Sequence, residues 1–385
     1  MTQDPAQTNL STAAWLLAAM RLPAGARVAV AMSGGVDSSA VAGLLVEAGY
    51  RVFGLTARLY DVDLAVERRS GTCCAPEDAR DARGVADRLG IRHYVLDERE
   101  VFSRDVIEPF LASYAAGETP NPCVECNRSL KFDRLVERAK ALGAEALATG
   151  HYARLNLQPD GHSGLHRAVD ASKDQSYFLY PMTPEVSGFL RFPLGDLTKI
   201  QVRAHAARLG LPTAEKAESM DICFVGAGKA RDFVAQHAGS RPGCIVDCEG
   251  RPLGFHKGIE GFTIGQRHGL GLGTRRADEP PLYVLDKRAD GTVVVGEHAA
   301  LLVHKLQVLR CVWLSGAPPV EGREVLVQVR HRGRPVPARV AKVDAAGETV
   351  ELHVIGELHG AGRGQSGVLY DDDRVLGGGI LGEAS

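Results

Sequence analysis

The stretch RVAVAMSGGVDSSAVAGLLVEAG, residues 27 to 49, constrains this chain more than any other. A short run of Val and Ala stops at two glycines. From Val36 the apolar residues fall at helical spacing, at Val36, Ala40, Val41, Leu44, Leu45 and Ala48, until Gly49. The reading is strand, glycine turn, helix. YRVFGLTARL then reads as a second strand, residues 77 to 90 as a second helix and IRHYVLD as a third strand. A helix is expected over 128–142, a strand in EALATGHYARL, and a helix over 201–210 that stops at Leu211-Pro212. Alternating strands and helices predict an α/β fold with a parallel sheet covered on both faces.

Beyond about residue 225 the pattern changes. GFHKGIEGFTIGQRHGLGLGTRR is mostly turns and short strands, and from about 300 the sequence alternates apolar and polar residues, as in REVLVQVRHRG, PVPARVAKVD and ETVELHVIG. This predicts a small middle domain and a C-terminal all-β barrel or sandwich, the barrel being the fold expected. The divisions expected are an extension over 1–24, the α/β domain over 25–224, the middle domain over 225–298 and the barrel over 299–385.

Charge limits the partners. With 45 Lys and Arg against 47 Asp and Glu the formal net charge is −2, so no global field draws nucleic acid, and RNA would have to be met by local patches. RHRGRPVPAR, residues 330 to 339, supplies one such patch. The apolar piece AAWLLAAM is far shorter than a bilayer span, so a soluble, cytoplasmic protein without a membrane partner is expected. Eight cysteines in 385 residues are too few for a disulfide scaffold. Cys73, Cys74, Cys244, Cys248 and Cys311 read as packing or surface residues.

The glycine turn has a chemistry of its own. Glycines let backbone N–H groups converge, and the helix that follows adds its unpaired amides and the positive end of its dipole, a setting for phosphate. A Walker A lysine is missing, which argues against ordinary γ-phosphate hydrolysis. SGGVDSS resembles the pyrophosphatase (PP) loop of ATP-dependent adenylating enzymes. That likeness implies ATP held by Ala31, Met32, Ser33, Gly34, Gly35, Val36, Asp37 and Ser38, with Mg²⁺ neutralising the pyrophosphate and Asp37 a candidate ligand on local chemistry.

Further blocks follow in order: TPNPCVECNRSLKF (119–132), ATGHYAR (148–154), KDQSYFLY (173–180), MDICFVG (220–226) and GQRHGLG (265–271). Together they resemble the tRNA-specific 2-thiouridylase family over nearly the whole chain after residue 25. The resemblance implies an enzyme that adenylates the C2 oxygen of the wobble uridine (position 34) of tRNA and replaces it with sulfur from a persulfide donor protein. It implies Cys126 as nucleophile and Cys223 as persulfide carrier, joined in a disulfide once sulfide has left. Asn121, Pro122 and Cys123 would meet the target base, Ala57 and Gly150 the nucleotide, and His151, Lys173, Asp174, Gln175, Arg330, His331 and Gln365 the tRNA. The everted uridine would enter a pocket at Asn121-Pro122-Cys123.

The residues themselves support part of this. Cys126 precedes the expected helix and is flanked by Arg128 and Lys131, a setting that favours a thiolate. Around Cys223 nothing local predicts activation. Cys123 stands where some relatives carry an acidic residue, so Cys123, Cys126 and Cys223 also offer three thiolates for an iron–sulfur cluster. Zinc on Cys123, Cys126, Cys244 and Cys248 is a further alternative, although no metal ligand is assigned. A packed strand-end histidine is the rival reading of His151, and KDQ taken as a bare tripeptide reads as a solvated loop. Another adenylating enzyme acting on a small metabolite and an ATP-gated tRNA-binding protein are the rival functions.

Overall fold

The computed structural model describes residues 15–17, 19–60, 76–157, 163–217, 222–225, 230–272 and 279–385. Cys73 and Cys74 lie outside them, as does most of the expected N-terminal extension. The chain forms two compact units: residues 1–105, 123–227 and 373–375, and residues 106–122, 228–372 and 376–385.

The first unit is built on a five-stranded sheet in the order β3-β2-β1-β4-β7. Its strands are β1 (Arg27–Ala31), β2 (Arg51–Arg58), β3 (Arg92–Asp97), β4 (Ala146–Thr149) and β7 (Leu190–Arg191), all paired parallel. Between β4 and β7 the chain makes an antiparallel hairpin of β5 (Arg154–Leu157) and β6 (Ser163–His166). Val28, Ala29 and Val30 are fully buried, as expected of a central strand covered on both faces. Helices α1 (Val36–Glu47) and α2 (Pro76–Leu89) pack on the sheet, and α4 (Lys199–Arg208), which opens on a capping box between Thr198 and Gln201, packs on α1. The core of this unit also takes in Leu16 and Met20, from the stretch ahead of β1.

The expected helix over 128–142 is longer and less regular than its periodicity suggests. It opens with one α-turn at Pro122–Glu125, passes through a π-helical stretch at Cys126–Arg134 and ends in α3 (Leu135–Ala141). Cys126 therefore lies inside the helix rather than ahead of it. Leu130 and Phe132 bury their side chains from the π stretch, and such insertions recur at functional sites.

In the second unit, β8 (Gly243–Val246), β9 (Pro252–His256), β10 (Tyr283–Lys287) and β11 (Val293–Gly296) form a sheet in the order β10-β11-β8-β9 over a core of Ile245, Val284, Val293 and Val295. β12 (Lys305–Trp313), β13 (Glu324–Gln328), β14 (Val336–Val343), β15 (Val350–Val354), β16 (Ser366–Asp371) and β17 (Arg374–Ala384) follow in the order β12-β15-β14-β13-β16-β17. β17 pairs back with β12, which closes a six-stranded barrel without an edge. Burial alternates along β14, which puts Val336, Ala338 and Val340 inside. Parallel α/β sheet, middle sheet and C-terminal barrel are the architecture expected. No helix among the described residues is long and apolar enough to cross a membrane.

Candidate active site

β1 is the switch point of the sheet: the chain runs from it to β2 and β3 on one side, and β4 and β7 lie on the other. Open α/β sheets bind ligands where strand order reverses, beyond the carboxyl ends of the strands. The loops after β1 and β4, Ser33–Ser38 and Gly150–Tyr152, meet there. A Cβ on Gly150 would lie 2.8 Å from the Ser38 amide nitrogen and 3.1 Å from the Asp37 Cβ, so glycine is needed for this approach. Gly34 has φ +70°, and a Cβ on it would lie 2.2 Å from the Asp78 carbonyl oxygen, which requires glycine twice over.

The loop is held from within. The Ser33 amide donates to Ser38 Oγ at 3.2 Å, and Ser39 Oγ donates to the Gly35 carbonyl at 2.8 Å. Two lysines distant in sequence flank it. Lys199 Nζ lies 2.7 and 2.8 Å from the two Asp37 oxygens, and Tyr152 donates its hydroxyl to Asp37 Oδ1 at 2.9 Å. Lys216 Nζ donates to the Gly34 carbonyl at 3.1 Å and to Asp78 and Asp81. Burial lowers the Lys216 pKa, but the two carboxylates outweigh it and raise the value above the ordinary one. Asp37 does not fit the Mg²⁺ ligand role in this arrangement, since both oxygens already meet an ammonium. Met32 and Ala57 flank the same end of the sheet: Thr56 Oγ1 donates to the Met32 carbonyl at 2.7 Å, and Ala57 pairs with Leu96 across β2 and β3.

Both expected cysteines belong to this unit, and both are part-exposed thiols. The Cys126–Cys223 disulfide implied by resemblance is not the state of this structure. Cys223 sits in a turn fixed by Tyr60, whose hydroxyl donates to the Cys223 carbonyl at 2.9 Å, and by Phe224, packed edge-on to Phe102 at 5.6 Å. The π stretch that begins at Cys126 packs against the same short helix, Arg99–Phe102. Arg128, expected to favour the thiolate, donates to Glu125. Lys131 Nζ lies 3.2 Å from His151 Nε2. The adjacent Asn127 is buried; its amide donates to the Phe178 carbonyl at 2.9 Å, while its Oδ1 meets no hydrogen-bond donor.

Cys123, Cys126 and Cys223 do not form a ligand cluster. Among the described residues no group of three His, Cys, Asp or Glu side chains is placed to hold a metal, so the iron–sulfur alternative does not fit this arrangement, and the four cysteines of the zinc alternative divide between the two units. Of the remaining cysteines, Cys311 is buried in the barrel and burial pushes its thiol up to about 12, as expected of an inert packing residue. Cys248 is exposed.

Several residues expected to meet tRNA are turned inward. His151 is buried, with Nδ1 2.7 Å from Thr149 Oγ1, and burial followed by the Lys131 charge holds its pKa well below the ordinary value. Since Lys131 donates to Nε2, the ring is neutral and carries its proton on Nδ1. Asp174 accepts from Arg167, from the Ala168 and Ser176 amides and from Ser176 Oγ, and Gln175 Oε1 accepts from the Tyr152 amide at 3.0 Å. Arg330 donates to the Ile264 and Gly360 carbonyls at 2.9 and 3.2 Å, tying two loops of the second unit. Gln365 is half-buried, Lys173 part-exposed and His331 exposed. Asn121 and Pro122 belong to the second unit and Cys123 to the first, where it is exposed.

Lys199, Lys216 and Tyr152 escape sequence reasoning because no local pattern links them to the loop. One signal exists for Lys199: a cation in the first turn of a helix opposes the helix dipole and calls for an anionic partner.

A glycine loop at the switch point of a parallel sheet, closed by Gly150, defines an ATP-binding domain of the adenylating class. The chain matches family models described as tRNA methyl transferase HUP domain over 26–227, tRNA methyl transferase PRC-barrel domain over 231–297 and aminomethyltransferase beta-barrel domain over 303–381. It is 49% identical over 364 residues to the tRNA-specific 2-thiouridylase MnmA of Methylorubrum populi, covering 92% of this chain and 93% of that protein. It is 48% identical over 374 residues to the protein of that name from Brucella suis, covering 94% and 92%. This chain belongs to the tRNA-specific 2-thiouridylase family. A U34-tRNA thiolase NcsA from Methanococcus maripaludis with its [4Fe-4S] cluster aligns at TM-score 0.37 and 17% identity over 60% of this chain and 71% of that one, too distant to bear on mechanism.

Proposed function

We propose that this enzyme, a tRNA-uridine 2-sulfurtransferase, uses ATP to activate the C2 oxygen of the wobble uridine and exchanges it for sulfur. One observation carries the reading: the unit that holds the nucleotide loop also holds Cys126 and Cys223, on segments packed against one helix, Arg99–Phe102. The amides of Ser33–Ser38 grip the pyrophosphate, which leaves when the uridine oxygen attacks the α-phosphorus. Adenylation turns a poor leaving oxygen into AMP. A donor protein loads Cys223 as a persulfide. Attack by the Cys126 thiolate on the Cys223 sulfur releases hydrosulfide, which adds at C2 and expels AMP. The electrons balance only if the two cysteines end the turn bonded, to be reduced before the next.

Asn121, Pro122 and Cys123 receive the base, with Lys173, His331 and Gln365 toward the tRNA. Mg²⁺ bound to the phosphates through oxygen and water needs no residue of this chain, and no step here runs through it. The cytosol, where tRNA and ATP are found, is the compartment.

The test is incubation with tRNA, ATP and a persulfide donor, followed by mass analysis of the nucleosides. An oxygen-for-sulfur gain in uridine is expected from the wild type and none from Cys126→Ala or Cys223→Ala. A gain that survives both substitutions overturns the relay. Binding without any gain favours a non-enzyme, and a methyl-group gain would answer to the domain descriptions instead.

A further inference from the structure

Lys287, at the end of β10, is only 7% exposed. Its ammonium donates to the Glu118 carbonyl and to Thr119 Oγ1, each at 3.2 Å, and lies 5.7 Å above the centre of the Tyr114 ring. An ammonium is costly to bury, and an apolar side chain would fill this space more cheaply if filling were all that mattered. Burial lowers its pKa to about 8, against the opposing pull of Glu118, Asp286 and Glu260.

What it grips is the stem of the base-receiving loop. Three further ties hold the same stem. Arg241 bridges the Ala115 and Ala289 carbonyls, the Thr119 amide donates to the Arg363 carbonyl at 2.9 Å, and a Cβ on Gly364 would come within 2.8 Å of the Glu118 Cβ. Asn121 follows two residues after Thr119, and Gln365 two residues after Arg363. All of these residues lie in the second unit.

We propose that Lys287 is a positioning residue for tRNA thiolation, fixing the Glu118–Thr119 stem so that Asn121 and Pro122 are presented to the target uridine in one geometry. The proposal rests on the sulfur-transfer reading above. A charge-assisted hydrogen bond to a main-chain oxygen holds a loop more tightly than a neutral one and keeps it ready for a substrate before binding.

The test compares the wild type with Lys287→Met, Lys287→Arg and Thr119→Val, the last removing one acceptor while leaving the ammonium in place. Two readouts are used: amide hydrogen exchange over residues 117–122, and thiolation kinetics. Faster exchange is expected in Lys287→Met and Thr119→Val. The thiolation kcat should fall about tenfold or more in Lys287→Met. The KM for ATP should stay within about twofold in every variant, because the nucleotide loop is not touched. Lys287→Arg should recover part of the rate and lose the wild type's fall in rate above about pH 8, since a guanidinium keeps its charge. Unchanged exchange in both Lys287→Met and Thr119→Val overturns the clamp. Faster exchange with unchanged thiolation overturns the positioning role. A wild type that does not thiolate at all defeats the sulfur-transfer reading itself, which the exchange data distinguish from a failed clamp.

Discussion

Asp37 and His151 show how far a residue's surroundings can redirect it. Asp37 opens a helix after a phosphate-type turn, and alone it suggests a metal ligand. Lys199 and Tyr152, contributed by distant parts of the chain, make it a pillar of the loop instead. Lys199→Met leaves that carboxylate without its cation and is expected to weaken ATP binding by about tenfold, as calorimetry would measure. His151 is neutral and enclosed. Below about pH 6.5 the unfolded chain takes up a proton at this position that the native state refuses, so native stability falls as pH drops, by up to about 1.4 kcal/mol per pH unit from this group. Urea unfolding near pH 7 and near pH 5 should show a shallower loss in His151→Asn than in the wild type. Sequence puts His151 at the right strand end but cannot show Lys131 and Thr149 closing on both ring nitrogens. For Asp174, Gln175 and Arg330 likewise, sequence shows polar groups in a loop but not their partners within the fold.

Among the elements, what is legible has a local cause. β1, the glycine turn and α1 can be read because burial on both sides, a positive φ and helical spacing are all written within a few residues. The π stretch at Cys126–Arg134 is not legible, since its buried apolar residues, Leu130 and Phe132, carry no mark of the wider turn. The turn ahead of it, Pro122–Glu125, puts Cys126 inside the helix, one turn beyond the free N-terminal amides. The approach of β4 to the loop makes a sharp prediction. Gly150→Ala places a methyl group against the Ser38 amide, and the loop must give way. Thermal unfolding should show a cost of about 1–3 kcal/mol, and ATP affinity should drop with it. In the barrel, alternation marks the strands correctly, while closure by pairing of β12 with β17 depends on partners far apart in the chain.

For the whole molecule, a net charge of −2 means that tRNA has to be held by local cations. The turn that follows β13 is one place for them: Gly333 donates to the Arg330 carbonyl at 2.9 Å, and Arg332 adopts φ +65° within the turn, which leaves His331, Arg332 and Arg334 exposed. An arginine in a left-handed conformation is uncommon. Replacing Arg332 and Arg334 by Gln should weaken tRNA binding and flatten its dependence on salt by about one in log–log slope for each phosphate no longer neutralised. Filter binding at several salt concentrations measures this, and an unchanged slope would place the tRNA elsewhere.

The first unit is not finished by its own stretch of sequence. Asp373 accepts hydrogen bonds from Arg154 and from the Arg167 amide and meets His166 Nδ1 at 2.9 Å, and the next two residues pair with β6. During synthesis, therefore, the ribosome must deliver the chain through Val375 before the nucleotide-binding part can receive its last piece. The hairpin around Arg154 has to wait unsealed while the barrel strands emerge.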